Sequence, residues 1–231
     1  MTDEELEAMH KRKKERTLAR KTKKIRDIQK RRTTWFLFSM FIILLDQLSK
    51  WAIMEHVIRP FRYGNNGLNF IDWYTNQPSI ISFTQIPVTS FFNIVMAWNT
   101  GVSFSLMNNM GSYGYLILIF VALIITTIFA IMLWNSDNKI NNLSYALVIG
   151  GALGNVIDRA RFGAVIDFLD FHINDYHWPA FNLADMSVVS GIILLIGSSL
   201  LFERQTRERY RKNHKKRRKE QELHEKRFGL K

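Results

Sequence analysis

The sequence predicts an all-α membrane protein with four transmembrane helices and a small β-rich segment on the outer face. Three observations lead to this fold class. The middle of the chain holds four apolar stretches long enough to cross a bilayer. Most of the charge lies at the two ends of the chain, and one long connection is rich in β-branched and aromatic residues.

The charge of the chain is distributed unevenly along its 231 residues, which carry a formal net charge of +12. Residues 1–32 contain thirteen basic and six acidic residues, residues 203–231 thirteen and five, and residues 33–202 six and nine. This division argues against a soluble globular protein and against a simple nucleic-acid-binding protein. The chain has no cysteine, which excludes disulfides, thiolate zinc sites and a cysteine nucleophile.

The four apolar stretches define the domain organisation. About 20 helical residues at a rise of 1.5 Å cross a hydrocarbon core of about 30 Å. We expect a basic extension over residues 1–33, a membrane domain over 34–202 and a basic tail over 203–231. Within the membrane domain, spans are predicted at 35–54, 113–134, 143–163 and 184–202, with an outer β-rich segment at about 60–112. The first span is expected to be retained rather than cleaved, because no small-residue cleavage pattern follows it.

Orientation follows from the positions of Lys and Arg. Both ends of the chain are strongly basic, whereas residues 55–112 contain two basic residues, Arg59 and Arg62. The positive-inside rule therefore places both termini in the cytoplasm and the connections 55–112 and 159–183 outside. We expect the basic extensions to bind anionic lipid of the cytoplasmic leaflet. Binding to RNA or the ribosome is the alternative, and no nucleic acid is expected as a partner.

Two carboxylates lie at the predicted outer ends of neighbouring spans. Asp158, in the motif GNVIDR, ends the third span, and Asp185, in FNLAD, begins the fourth. Each follows an asparagine by three residues, Asn155 and Asn182, and so shares a helical face with it. Arg159 is the i+4 neighbour of Asn155. Acids that persist in a membrane usually face a bundle interior or a cavity and indicate function.

A close pair of carboxylates predicts acid–base hydrolysis. Two such groups tend to share one proton, so that the ionised member activates water while the protonated member donates to the carbonyl oxygen. This chemistry requires neither a metal nor a cofactor. The spacing of Gly150 and Gly154 permits the close helix approach that the pair would need.

Other functional classes fit the residues less well. A Ser–Lys protease at Ser49 and Lys50 is disfavoured because adjacent helical residues point in different directions. His172 and His177, with Asp170 and Asp175 nearby, could form a metal site, but loop composition explains them better. A proton channel or transporter would distribute its polar positions along the helices, including Asp46, and a membrane scaffold would leave the two Asn-x-x-Asp patterns unexplained.

Four sequence blocks together resemble the lipoprotein signal peptidase (signal peptidase II) family of bacterial membrane aspartic proteases. They are DQLSK in the first span, WNTGVSFSL before the second, GGALGNVIDRARFGAVIDFLDF through the third, and FNLAD at the fourth. The resemblance covers about residues 35–202. It implies a four-helix membrane fold with a small outer sheet or cradle. It also implies cleavage of prolipoproteins before a diacylglyceryl-modified cysteine. Together with the predicted topology, we expect a monomer in the bacterial cytoplasmic membrane with its active site near the outer face.

The resemblance also implies roles for particular residues. By position, the catalytic aspartates fall on Asp158 and Asp185, and the residues lining the active site fall on Asn99, Asn155, Arg159 and Asn182. Asp46 and Lys50 match a polar pair of the first span, for which i,i+4 spacing favours a structural role. Asp167 and Asp170, in VIDFLDF, also fit the family pattern and are interpreted as structural.

Overall fold

The computed structural model describes residues 3–65, 67–76, 80–101 and 114–201. Within these residues, the architecture comprises six α-helices and four β-strands. The helices are α1 (Asp3–Ile53), α2 (Arg59–Tyr63), α3 (Phe70–Thr75), α4 (Gly114–Asn135), α5 (Lys139–Phe162) and α6 (Leu183–Leu201), with a π-helical turn at Met54–Ile58 between α1 and α2. The strands are β1 (Thr84–Thr89), β2 (Phe92–Asn99), β3 (Val165–Ile173) and β4 (Tyr176–His177).

In the described part of the chain, four helical segments are long and apolar enough to cross a membrane, which confirms the predicted fold class. They are Arg32–Tyr63, Gly114–Asn135, Lys139–Phe162 and Leu183–Leu201. The first runs through the π-helical turn into α2, so it extends farther outward than the predicted 35–54. The second, α4, contains no charged residue and exposes apolar side chains around most of its surface, as a helix in contact with lipid does.

Helix α5 is the centre of the bundle. Half of its most apolar stretch is buried within the protein, against 11% for α4, and both α1 and α4 pack on it. Close approach of α6 depends on Gly151, where an added Cβ would lie 2.3 Å from the carbonyl oxygen of Ala184. The helix begins at an Asn138 cap and ends at Gly163, whose φ of 73° is readily adopted by glycine.

The outer sheet combines two distant parts of the chain. Its four antiparallel strands follow the order β1-β2-β3-β4. The hairpin of β1 and β2 comes from the connection in which the sequence predicted a sheet. Strand β3 begins two residues after the Gly163 cap of α5 and was not predicted, because VIDFLDF was interpreted only as a polar interface. Its pairing with β2 sets Asn93 opposite Asp170 and Asn99 opposite Val165.

A hydrophobic core joins this sheet to the outer end of the first span. Met54 and Ile58 of the π-helical turn pack with Trp73 of α3 and with Ile166 and Phe168 of β3, and all five side chains are buried. Two of these residues, Ile166 and Phe168, flank Asp167 in the sequence. The core therefore fixes the start of β3 relative to the ends of the membrane helices.

Candidate active site

Polar residues of α1, α5, β3 and α6 meet where the membrane helices join the sheet. Asp158 lies four residues before the end of α5, Asp167 is the third residue of β3, and Asp185 is the third residue of α6. These positions bring three carboxylates to the same end of the bundle, whereas the sequence predicted two. Their hydrogen bonds divide them into two groups.

Asp158 belongs to a buried ionic network that faces α1. Its carboxylate accepts hydrogen bonds from Gln47 Nε2 at 2.9 Å and from the backbone N of Ile166 at 3.2 Å, and it lies 2.7 Å from Lys50 Nζ. Lys50 Nζ also lies 2.7 Å from Asp46, and the side chains of all three ionic residues are fully buried. Both oxygens of Asp158 thus have protein partners, so the residue ties α5 to α1 and to β3.

Asp46 extends this network to α6. Its second oxygen accepts a hydrogen bond from the backbone N of Ala184 at 3.0 Å. The expected i,i+4 contact between Asp46 and Lys50 is present, at 2.7 Å. Buried charges are tolerated when they are paired and hydrogen bonded, as these are. One buried polar network consequently connects three membrane helices, α1, α5 and α6.

Asp185 is held by the start of its own helix. The backbone N of Asn182 donates to Asp185 Oδ2 at 3.2 Å, and the backbone N of Asp185 donates to Asn182 Oδ1 at 3.0 Å. This reciprocal arrangement is a capping box, in which two otherwise unpaired amides at a helix start are satisfied. Asn155 of α5 donates to Asp185 Oδ1 at 2.8 Å. The half-buried carboxylate is therefore fixed in orientation from two helices.

Asp167 lies beside Asp185 and shares a hydrogen-bond network with it. Asn182 Nδ2 donates to Asp167 Oδ1 at 2.8 Å, and Asn99 Nδ2, at the end of β2, donates to Oδ2 at 3.0 Å. The same Asn182 amide also contacts Asn155 Oδ1 at 3.1 Å. Two asparagines therefore link the two carboxylates into a continuous chain of hydrogen bonds.

The environment of Asp167 favours its protonated form. The side chain is 2% exposed. Burial and the neighbouring charge of Asp185 together raise the pKa of Asp167 to about 7, against the opposing effect of the hydrogen bonds from Asn99 and Asn182. A carboxyl group that holds its proton near neutral pH beside another carboxylate is the arrangement that acid–base hydrolysis requires.

Arg159 supplies positive charge to this site. It follows Asp158 on α5, and its guanidinium interacts electrostatically with Asp185, Asp167 and Asp158. Its buried Nε has no hydrogen-bond partner within the described part of the chain. Arg159 can therefore balance the negative charge of the carboxylates.

The structure brings most of the predicted site residues together. Hydrogen bonds connect Asn99, Asn155, Asn182 and Asp185 through Asp167, and the Arg159 guanidinium interacts electrostatically with Asp167 and Asp185. Asp158 occupies the adjacent ionic network instead, and Asp167 takes the position beside Asp185. Asp167 was not among the predicted catalytic residues; it belongs to the motif VIDF, which follows the Gly163 helix cap and begins strand β3.

The histidines of the outer hairpin form a separate cluster. His177 Nδ1 lies 2.9 Å from Asp170, Asn93 donates to Asp170 at 2.7 Å, and the rings of His172 and His177 stack with their centroids 4.8 Å apart. Partial burial disfavours the ionised form of Asp170, but the hydrogen bonds from Asn93 and His177 outweigh it and keep the pKa of Asp170 below its usual value. Among the residues that the structure describes, no group of three or more His, Asp or Glu side chains could hold a metal ion.

Similarity to known proteins agrees with this geometry. A family model described as signal peptidase (SPase) II matches residues 38–201. A lipoprotein signal peptidase of Tolumonas auensis is 36% identical over 165 residues, which cover 70% of this chain and 87% of that protein. A lipoprotein signal peptidase of Francisella tularensis subsp. novicida is 44% identical over 130 residues, which cover 54% of this chain and 81% of that protein.

Two solved structures share the fold, each described as a bacterial membrane enzyme determined by the in meso method, at 2.3 and 1.9 Å resolution. Both are 26% identical to this chain over 73% of its length, with TM-scores of 0.52 and 0.53 and coverage of 88% and 93% of the solved chains. The sequence matches include the outer ends of α5 and α6, where the carboxylates lie. The chain therefore belongs to the signal peptidase II family of aspartic endopeptidases.

Proposed function

We propose that this protein removes signal peptides from prolipoproteins, cleaving before the diacylglyceryl-modified cysteine. Membership of the signal peptidase II family and the names of the similar proteins support signal peptide removal from lipoproteins. The observation that carries the chemical proposal is the pairing of Asp167, whose pKa is raised to about 7, with Asp185. These two residues, rather than Asp158 and Asp185, are the pair that the geometry favours.

Each carboxyl group has a defined part in the proposed reaction. Asp185 in its ionised form takes a proton from water as the water oxygen attacks the scissile carbonyl carbon. Asp167 in its protonated form gives its proton to the carbonyl oxygen, so that a neutral gem-diol is formed. Asp185 then passes its proton to the leaving amide nitrogen while Asp167 regains a proton from the gem-diol, which restores the starting state.

The surrounding residues orient the pair and the substrate. Asn155 and Asn182 hold the two carboxyl groups through hydrogen bonds of 2.8 Å each. Arg159, whose Nε lacks a partner in the described structure, is placed to bind a peptide carbonyl near the scissile bond. Positioning of this kind lowers the barrier because the reacting groups are held before the reaction begins.

The location of the pair suits a lipid-modified substrate. With both basic termini in the cytoplasm, the outer ends of α5 and α6 lie near the outer surface of the membrane. An acylated peptide can reach this level from the bilayer, and each buried CH₂ contributes about 0.8 kcal/mol to its retention. We propose that the enzyme acts as a monomer in this position, with the residues next to the first span contacting anionic lipid.

The test compares four substitutions in a cleavage assay with a diacylglyceryl-modified prolipoprotein. Asp167→Asn and Asp185→Asn are each expected to lower kcat by at least about 100-fold, because each removes one acid–base group, while the folded protein still inserts. Asp175→Asn, on the exposed hairpin, is the matched control and should retain full turnover. Normal turnover in Asp167→Asn would refute the assignment of that residue.

Asp158→Asn distinguishes the two possible pairs. Loss of one partner from a buried ion pair costs about 3–5 kcal/mol, so this variant should unfold at a lower temperature while its folded fraction still cleaves substrate. The alternative pair, Asp158 and Asp185, predicts the reverse. In that case Asp158→Asn would be fully folded and inactive, and Asp167→Asn would remain active.

A further inference from the structure

The basic extension before the first span is a direct continuation of that span. Helix α1 runs unbroken from Asp3 to Ile53, and its membrane segment begins at Arg32. Residues 3–31, which we call the N-terminal arm, therefore extend the helix by about 43 Å at a rise of 1.5 Å per residue. Every arm residue whose burial is described, including Lys14, Arg20 and Lys23, is exposed.

In a regular helix, most of the basic positions of the arm fall on one side. All thirteen basic residues of the first 32 lie between positions 11 and 32, where Glu15 and Asp27 are the acidic residues. At 3.6 residues per turn, nine of the thirteen fall within a sector of about 160°. This basic stripe extends over about 28 Å, from Arg12 to Arg31. The opposite side carries Leu18 and Ile25, too few apolar residues for a helix-packing seam.

The geometry of α1 separates most of this stripe from the membrane. Arg20 lies twelve residues before Arg32, which is about 18 Å along the helix and still about 14 Å from the surface at a tilt of 40°. Electrostatic attraction to an anionic leaflet is screened over about 8 Å at physiological ionic strength. Attraction to lipid can therefore explain the basic residues nearest the span, such as Lys30 and Arg31. It does not explain the two thirds of the basic stripe that lie farthest from the membrane.

We infer that the N-terminal arm is a docking surface for RNA in the cytoplasm, bound through its phosphate backbone. A row of Lys and Arg positions along about 28 Å of continuous helix matches a polyanion with regularly spaced phosphates, and charged positions are unsuited to binding an apolar protein helix. The inference relies on the cytoplasmic placement of the amino terminus and is independent of the peptidase site. For the arm, this inference replaces two expectations from the sequence, namely that its partner is anionic lipid and that it binds no nucleic acid.

The binding experiment uses the full-length protein in nanodiscs of zwitterionic lipid and a fluorescent 20-nucleotide single-stranded RNA. Anisotropy titrations at several salt concentrations should give an affinity that falls steeply with salt. The combined variant Arg12→Gln, Arg16→Gln, Arg20→Gln and Lys24→Gln should weaken binding at least about tenfold. It should also reduce the slope of log K against log salt by about 3, at about 0.7 per phosphate contact of a single strand. Its peptidase activity should be unchanged.

A second variant controls for net charge. Arg209→Gln, Lys212→Gln, Lys216→Gln and Lys219→Gln remove the same charge from the carboxy-terminal tail. This variant is expected to retain most of the RNA affinity. Equal loss in both variants would show that binding follows net charge rather than the arm, and absence of binding in the unmodified protein would likewise overturn the inference.

A distance measurement tests the membrane as the competing partner. Because the chain lacks cysteine, Ala8→Cys can be labelled uniquely with a fluorescent donor, with an acceptor placed on the lipid headgroups. Position 8 lies about 36 Å along the helix from Arg32, so energy transfer should stay low even in nanodiscs rich in anionic lipid. High transfer in anionic nanodiscs would show that the arm lies on the leaflet and would overturn the inference.

Discussion

At the scale of single residues, partners determine what each carboxylate can do. Asp158, Asp167 and Asp185 lie at one end of the bundle, yet they have different environments. Asp158 is neutralised by Lys50 at 2.7 Å, whereas Asp167 receives amide hydrogen bonds and lies beside a carboxylate. A nearby carboxylate stabilises the protonated form of a carboxyl group, and this is the form that can donate a proton during hydrolysis.

The raised pKa of Asp167 predicts the pH dependence of catalysis. Since Asp167 must be protonated to act as the acid and its pKa is raised to about 7, kcat/KM should fall about tenfold per pH unit above about pH 7. The profile of kcat/KM against pH measures this directly. Between the ordinary aspartate value of 3.8 and about 7, the folded state holds a proton that the unfolded state releases, so this group's contribution to stability decreases as pH rises.

A profile that stays flat or rises between about pH 7 and pH 9 would contradict the assignment of Asp167 as the acid. The control is Asp175→Asn, which should shift neither the magnitude nor the position of the decrease. Asp175 lies on the exposed turn of the outer hairpin, away from both carboxylate groups.

At the scale of secondary-structure elements, the short helix α3 is held by one arginine. The Arg161 guanidinium lies 4.2 Å from the ring centroid of Trp73, 4.6 Å from that of Tyr74 and 4.5 Å from that of Phe162. Its Nη2 also donates to the carbonyl oxygen of Trp73 at 2.7 Å. Trp73 packs on Ile166, which is next to Asp167 in the sequence. The contacts of Arg161 with Trp73 therefore connect helix α3 to the candidate active site.

Substitution of Arg161 should loosen α3 without unfolding the membrane bundle. A cation–π contact contributes about 0.5–2 kcal/mol and a hydrogen bond to a charged donor about 1.5–3 kcal/mol. Arg161→Ala is therefore expected to accelerate amide hydrogen exchange in residues 70–75 at least about tenfold, which corresponds to about 1.4 kcal/mol. Arg161→Lys should restore part of the protection, because Lys keeps the charge and loses the planar stacking.

The matched control for this measurement is Arg62→Ala, which removes an exposed arginine with a long 6.0 Å contact to the Tyr63 ring. It should leave exchange in residues 70–75 unchanged. Equal protection in Arg161→Ala and the unmodified protein would show that the hydrophobic packing of Trp73 holds α3 alone.

At the scale of the whole molecule, charge asymmetry and the acid pair define the two sides of the protein. The basic N-terminal part of α1 continues from one end of the first span, and the sheet with the carboxylates lies at the other end. Four spans place the start of the first and the end of the fourth on the same side. We therefore expect substrate binding near the carboxylates and any contact made by the basic N-terminal arm to occur at opposite ends of the bundle, so that both can occur simultaneously on one molecule.

This arrangement predicts opposite accessibility for two single-cysteine variants. Asp175→Cys, on the outer hairpin, should react with a membrane-impermeant thiol reagent in intact cells. Ala8→Cys, in the N-terminal arm, should react only after the membrane is permeabilised, because the positive-inside rule keeps the basic end in the cytoplasm. Labelling of both variants in intact cells would contradict the orientation, and the cysteine-free parent protein provides the background.

The membrane spans and their charged ends could be predicted from the sequence because hydrophobic length and charge are local properties. The contact between Asn182 and Asp185 could also be predicted from their spacing, because the capping box that they form lies within four consecutive residues. The choice of partner for Asp158 was not, because Gln47 lies 111 positions away and reaches it only after α1 packs on α5. Likewise, Asp167 meets Asp185 only because β3 folds back to the start of α6. The hydrophobic length of a span is a property of consecutive residues, whereas the partners of a buried carboxylate depend on which distant segments the tertiary fold brings together.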